Sequence, residues 1–417
     1  MSLGCNVPND GRIERRIFMS IFIDGKEERG LVYDLRQIKK VYDSLGIPKE
    51  FFQLPWSALS NDKIIIELSE RSTGKTTNWL LFGLCMNKQY GTVIQYIRAT
   101  ENMLSPSFSE KLVEVIRSYK EGEYIKKLTD GKYNSIYYHW RQYFYCLVED
   151  GKIIEKSEEP IIQCLSVDRN HDYKSSYNSY KNRGDLIIFD EFIGKYYRPN
   201  EFVEFMDLTK TIIRDRHSPI IVMLANTINL NSFYFEEMEI SREVRRLKKG
   251  DKKEIITDGG TRIYVEIVLD DKRASEKRIV NNLFYGFKNP KLASITGGEV
   301  WAFENVPHIP DQTNKVCLLN NLYLESGIDL LKIEVFTSDE LETHLEIHRA
   351  TKTYDDSIIL TLGELKDRRY IFGIGRNFLK KILVELIRKR HVYYSSNEVG
   401  SIFKDYLNRY RLEKDIY

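Results

Sequence analysis

A chain of 417 residues, 42% hydrophobic and 12% aromatic, carries enough apolar side chains for two or three cores. Its formal net charge of +2 gives no whole-chain signal for nucleic acid, so any basic surface must be local. Five scattered cysteines, Cys5, Cys85, Cys146, Cys164 and Cys317, argue against a disulfide framework or a zinc site and fit a reducing cytosol. No apolar run approaches the ~20 residues that cross a bilayer, and residues 17–23 are too short and too soon followed by charge to be a signal peptide.

In chain order, residues 16–23 read as a strand and residues 34–45 have helical spacing. Phe51-Phe52-Gln53-Leu54-Pro55-Trp56 reads as core packing, with an adenine contact as the alternative. Ile64-Ile65-Ile66 is a short buried-strand run, and Trp79-Leu80-Leu81-Phe82 starts an apolar helix. Between them, Ser69-Glu70-Arg71-Ser72-Thr73-Gly74-Lys75-Thr76 follows the phosphate-loop pattern G-x-x-x-x-G-K-[ST], with Ser69 at the first glycine. Strand, loop and helix in that order surround a phosphate with backbone N–H groups and a helix N-terminus. Ser69, Ser72, Thr73, Gly74, Lys75, Thr76 and Thr77 are therefore the expected ATP contacts. Lys75 reaches for the β/γ-phosphates, and the Thr76 hydroxyl holds Mg²⁺.

Residues 92–97 read as a β-branched strand ending in Arg98, residues 109–119 as an amphipathic helix, and Glu149-Asp150-Gly151 as a hairpin turn between residues 143–148 and 153–154. Residues 161–167 alternate like a strand. Leu186-Ile187-Ile188-Phe189 then runs into Asp190-Glu191, a continuous apolar stretch that reads as a strand buried on both faces of a parallel sheet. Its acids leave the carboxyl end, where open α/β sheets bind ligands. Asp190 is expected in the Mg²⁺ shell, and Glu191 is expected to orient or deprotonate the attacking water. Residues 201–213 read as a helix and residues 220–225 as a second apolar strand ending in Asn226-Thr227. Asn226 there is either a γ-phosphate sensor or a turn former. Arg214 and Arg216, between these two elements, and Arg71 inside the loop are candidates for the added cation of phosphoryl-transfer sites. If the arginine comes from a neighbour, the protein is a ring or a stack.

Residues 261–269 alternate and read as the last strand of this region; residues 316–336 carry two or three more. From Leu362 the tail reads as helical and basic, with Arg368, Arg369, Arg376, Lys380, Lys381, Arg388, Lys389 and Arg390 interleaved with Tyr370, Phe372 and Phe378. It is either a phosphate-backbone surface or an ordinary solvated helix face.

An arginine in the phosphate loop, an apolar strand ending Asp-Glu and a strand ending in a polar residue resemble the viral packaging ATPases of the large-terminase type. Tyr96-Ile97-Arg98, Ile188-Phe189-Asp190-Glu191-Phe192-Ile193, Met206-Asp207 with Arg214-Asp215-Arg216, and Ala225-Asn226 with Asn231-Ser232-Phe233-Tyr234-Phe235 resemble more specifically those of the small protein-primed tailed phages of the phi twenty-nine group. The resemblance implies a homo-oligomeric ring, five-fold in that group, docked on the portal of a procapsid in the host cytoplasm, moving double-stranded DNA and in some members using a packaging RNA. It also implies ATP and Mg²⁺ on Lys75, Thr76 and Asp190, catalysis by Glu191, and Arg214 reaching into the neighbour's site.

The expected fold is α/β: a P-loop NTPase parallel sheet of the ASCE type flanked by helices, a linker subdomain, and a smaller α+β C-terminal domain resembling an RNase H-type nuclease. The expected boundaries are residues 1–60 for an N-terminal extension, 61–270 for the ATPase, 271–310 for the linker and 311–417 for a DNA-gripping domain. Val316-Cys317-Leu318-Leu319-Asn320-Asn321, the first strand expected there, carries no carboxylate, so no cleavage is expected. The rival readings are a ring helicase or remodeller, a P-loop small-molecule kinase, and a degenerate P-loop protein that uses nucleotide only structurally.

Overall fold

The computed structural model describes residues 18–23, 26–31, 33–49, 52–59, 63–69, 73–177, 186–193, 198, 200–214, 219–225, 232–268, 306–311, 314–339, 342–374 and 377–414. Strands β1 (Phe18–Ile23) and β2 (Lys26–Leu31) form an antiparallel hairpin. Helix α1 (Leu35–Leu45) begins where the Asp34 side chain accepts the Arg36 N–H and stops at Gly46 in the left-handed conformation. Ile38, Tyr42 and Leu45 of α1, with Phe52 and Leu54, enter the same core as the helix that follows the phosphate loop.

Among the described residues the central sheet has ten strands. Six are parallel: β3 (Lys63–Leu68), β4 (Ile94–Arg98), β8 (Ile162–Ser166), β9 (Leu186–Asp190), β10 (Ile220–Ala225) and β12 (Arg262–Ile267), in the spatial order β12-β3-β10-β9-β4-β8. The middle strands β3, β10, β9 and β4 are buried along their whole length, which is why their sequences are near-continuous apolar runs rather than alternating ones. Antiparallel strands extend both edges: β11 (Lys252–Ile256) on β12, and β5 (Ser135–His139), β6 (Gln142–Glu149) and β7 (Lys152–Lys156) beyond β8. The predicted Asp150-Gly151 turn is present, with both residues at positive φ. Strands β5 and β11 escaped prediction; β5 turns into β6 through Trp140-Arg141, which lacks the Gly or Asn expected at two positive-φ positions.

Helix α2 (Lys75–Tyr90) packs on one face of this sheet and is buried from Asn78 to Met86. Gly83 lets it approach that closely: a Cβ there would lie 2.5 Å from Ile94 and 2.8 Å from Leu186. The single helix expected at residues 109–119 is instead two, α3 (Pro106–Leu112) and α4 (Glu114–Ser118). The Ser105 cap and Pro106 start the first one early, and Val113 leaves helical geometry at φ −106, ψ 3. Helix α5 (Glu123–Leu128) joins them on this face, while α6 (Asn170–Ser176), α7 (Glu201–Ile213), α8 (Phe233–Glu237) and α9 (Ser241–Val244) follow later in the chain. Phe205, Leu208, Tyr234 and Val244 lie with Phe189 in a second core, on the opposite face.

The expected linker, at residues 271–310, lies largely outside the described residues. Beyond it is a six-stranded sheet, β17-β16-β13-β14-β15-β18. Strands β13 (Lys315–Ser326), β14 (Asp329–Ser338) and β15 (Glu342–Ala350) are an antiparallel meander, with β16 (Ile358–Thr361) parallel to β13 and β17 (Tyr370–Phe372) parallel to β16. Helix α10 (Asn377–Lys389), strand β18 (Val392–Tyr394) on β15, and helix α11 (Asn397–Lys414) complete it. The tail is thus not helical from Leu362: Tyr370–Phe372 is an edge strand. The first strand also runs further than expected and gains a carboxylate, Glu325, which accepts from Lys366 at 2.7 Å and from the Tyr370 hydroxyl at 3.2 Å. Among the described residues, two ion pairs tie the helices that follow β10 to this second unit. Arg245 holds the buried Asp329 with both nitrogens, each at 2.6 Å, and Arg409 holds Glu236 at 3.0 and 3.1 Å. Among the described residues no helix is long and apolar enough to cross a membrane.

Candidate active site

Four neighbouring parallel strands, β3, β10, β9 and β4, deliver the site. The last carbonyls of β10 hold its two halves together: Ala225 accepts the Ser69 N–H, where the phosphate loop leaves β3, and Leu224 accepts the Phe192 N–H, just past the acid pair of β9. Gly74, at φ 88, makes the left-handed turn into α2 and places Lys75 and Thr76 in its first turn. Thr77 stands in the same turn, half-buried. Upstream residues brace the loop. The Phe52 N–H donates to Thr73 O, Asn78 donates to Phe52 O at 2.8 Å, and Tyr42 donates to Asn78 at 3.0 Å.

The structure brings Thr76 and Asp190 together, with the Thr76 hydroxyl 3.2 Å from Asp190 Oδ2. Two oxygens at that separation suit a hard octahedral cation, whose adjacent ligands lie about 2.9 Å apart. Asp190 is buried, and its other carboxylate oxygen accepts the Glu191 N–H at 3.0 Å. Glu191 itself is half-buried at φ 52, a left-handed position that a side chain occupies at a cost of roughly 1–2 kcal/mol.

Sequence reasoning gave no role to Arg98, yet it is the centre of this cluster. Strand β4 lies beside β9, and both end on the same edge of the sheet. The buried guanidinium reaches Asp190 Oδ2 at 3.3 Å and Glu191 Oε2 at 2.6 Å, and its Cζ lies 4.8 Å from the centre of the Phe108 ring. Tyr96, two residues earlier on the same strand face, donates its hydroxyl to Asp190 at 2.6 Å. Burial and then the neighbouring Asp190 hold the Tyr96 hydroxyl well above its ordinary pKa, so it remains a donor. Burial alone would pull Arg98 down, but Tyr96, Asp190 and Glu191 more than offset it and raise its pKa. The available signal was a cation closing an apolar strand, at the edge where ligands of parallel sheets bind.

Glu67 is the second residue that sequence reasoning passed over. It is fully buried on β3, directly beside Glu266 of β12, and accepts the Trp79 indole N–H at 2.8 Å. Glu266 in turn accepts from Tyr264 at 2.9 Å and pairs with Lys252 at 3.0 Å. Burial pushes the Glu67 carboxyl well above the usual carboxylate range, beyond what Trp79 and the more distant Lys75 can restore.

Arg214 is not in the cluster. It is exposed at the end of α7 with φ 47 and ψ −116, six residues before β10 starts, whereas Asp190 and Glu191 leave the far end of β9. Arg71, Ser72, Asn226 and Arg216 lie outside the described residues. Among the described residues no three His, Cys, Asp or Glu side chains are grouped to hold a metal by themselves, so a cation here needs oxygens from a ligand or water as well.

No family model matches the chain, and no curated protein matches it. Among solved structures, it is similar to the Phi-28 gp11 DNA packaging motor, with 17% identity over 88% of this chain and 99% of that one and a TM-score of 0.47. It is similar to the bacteriophage Phi-29 viral genome packaging motor assembly, with 16% identity over 87% and 100% of the two chains and a TM-score of 0.49. A Thermus phage large terminase ATPase domain is 14% identical over 62% of this chain and 96% of that one, with a TM-score of 0.33.

Proposed function

We propose that the chain is an ATP-hydrolysing motor subunit of the P-loop, ASCE type that moves double-stranded DNA into a viral procapsid. The observation that carries the hydrolytic part is the convergence of Lys75, Thr76, Asp190, Glu191 and Arg98 at one edge of the parallel strands. Lys75 and the first turn of α2 bind the phosphates. Thr76 and Asp190 would hold Mg²⁺, which neutralises charge developing on the β- and γ-phosphates. Glu191 orients and deprotonates the attacking water once its carboxylate leaves Arg98. Arg98 shares its single positive charge between the two acids until Mg²⁺ arriving with the nucleotide would supply more. An exposed Arg214, away from its own acid pair, supports a site completed by a neighbouring subunit in a ring.

DNA as the moved substrate is supported by the motif resemblance at residues 188–193, 206–216 and 225–235. In this reading residues 61–270 are the ATPase, and residues 311–417 are an RNase H-type domain, its strands in the order 3-2-1-4-5 across β15-β14-β13-β16-β17. Glu325, tied to Lys366 and Tyr370, leaves it a gripping rather than a cutting domain. Portal and packaging RNA would be its docking partners. The test is ATP turnover measured with duplex DNA, with single-stranded DNA and with none. Stimulation by duplex supports the motor, preference for single strands favours a helicase, and indifference to DNA together with phosphate transfer to a small acceptor favours a kinase.

A further inference from the structure

Ser69 stands where phosphate loops of this pattern open on glycine, and the structure shows that the position has no need of one. Ser69 is not among the described residues with positive φ, and its N–H continues the β3–β10 ladder onto Ala225 O. Its hydroxyl is turned inward and fully buried. It shares a hydrogen bond with Thr73 Oγ1 at 3.0 Å, across the loop, and accepts a hydrogen bond from the Lys75 ammonium. Thr73 and Lys75 are buried with it, at 7% and 3% exposure. A buried ammonium requires acceptors, and in this loop one of them is a hydroxyl that the usual glycine could not supply.

We infer that the Ser69 hydroxyl stands in for a phosphate oxygen: bonded to Thr73, it parks Lys75 until a nucleoside triphosphate displaces it. The inference rests on the reading of this loop as the nucleotide site. It makes Ser69 a positioning residue that sets how fast and how tightly nucleotide enters, with no part in the chemical step. Every nucleotide that binds must first break a charge-assisted hydrogen bond and then offer Lys75 a better acceptor.

The experiment is stopped-flow binding of a fluorescent Mg-ATP analogue to the full chain, comparing wild type with Ser69→Ala and Ser69→Gly. Both variants lack the hydroxyl and differ in the Cβ. Both are expected to bind faster and about tenfold tighter, since one hydrogen bond to a charged group no longer competes. Thermal melting supplies a second reading: each variant should melt lower than wild type without nucleotide and gain more from its addition. Weaker binding in both variants would overturn the inference by making the hydroxyl a direct nucleotide contact. Tighter binding in Ser69→Gly alone would overturn it in favour of backbone freedom, and unchanged binding in both would leave the hydroxyl without a role. Lys75→Ala separates this from the parent reading. If wild type binds no nucleotide, or Lys75→Ala binds it as well as wild type does, the nucleotide site itself is wrong.

Discussion

Replacing Arg98 by alanine removes the cation that two carboxylates share. Asp190 is buried and keeps Tyr96 and Thr76 as donors, but neither carries charge, and Glu191 loses a 2.6 Å partner at a strained left-handed position. Breaking a buried ion pair from one side costs about 3–5 kcal/mol. For a domain of this size each kcal/mol lowers the melting temperature by roughly 2–4 °C, so Arg98→Ala should melt about 10 °C below wild type without ligand. The loss should be conditional. Mg²⁺ at Thr76 and Asp190 returns positive charge to the acids, so saturating Mg-nucleotide should raise the variant's melting temperature more than the wild type's and narrow the gap. Differential scanning calorimetry of both proteins, with and without a non-hydrolysable Mg-ATP analogue, reads all four values. A gap that stays constant or widens with nucleotide would refute the shared-charge account, as would a loss of less than about 1 kcal/mol without it, the level of an exposed pair.

Three further outcomes follow from the packing. Glu67 has a folded pKa above its unfolded one, so the folded state retains a proton that the unfolded state releases, and stability falls as pH rises from the ordinary carboxylate range towards that raised value. Glu67→Gln, which keeps an acceptor for Trp79, should flatten this part of the melting-temperature profile above the ordinary carboxylate range; an unchanged slope would mean that Glu67 is not the group responsible. Asp329→Ala leaves Arg245 and Arg349 facing an empty buried position and should cost about 3–5 kcal/mol by urea denaturation, with Asp329→Leu combined with Arg245→Met milder than the single change. Gly83→Ala should destabilise by about 1–3 kcal/mol despite the better helix propensity of alanine, because the new methyl meets Ile94 and Leu186, and Ile94→Ala should recover part of the loss.

The two central strands β9 and β10 were legible because burial on both faces makes their runs apolar without a break: Leu186-Ile187-Ile188-Phe189 and Ile220-Ile221-Val222-Met223-Leu224-Ala225 match their strands almost to the residue. The edge strand β11 was not, because it is largely exposed and its sequence carries no core-facing stripe. The turn at Trp140-Arg141 hides its hairpin by using residues that rarely adopt positive φ. That the acid pair closes a strand and Thr76 opens a helix could be read from one dimension, because a strand end and a loop pattern locate each of them separately. Arg98 could not, since its role depends on β4 lying next to β9 across 92 residues of chain. Glu67 was missed for a related reason: one acid in an apolar strand takes its meaning from Trp79 on the helix and Glu266 on the neighbouring strand.

In the proposed mechanism Glu191 activates the attacking water while Lys75 and the first turn of α2 hold the phosphates. Glu191→Gln, measured for both Mg-ATP affinity and duplex-stimulated turnover, tests it most directly. Affinity should stay within a few-fold of wild type while turnover falls by about 10² or more, the range of general-base catalysis. Turnover that survives the substitution at the wild-type rate would contradict it.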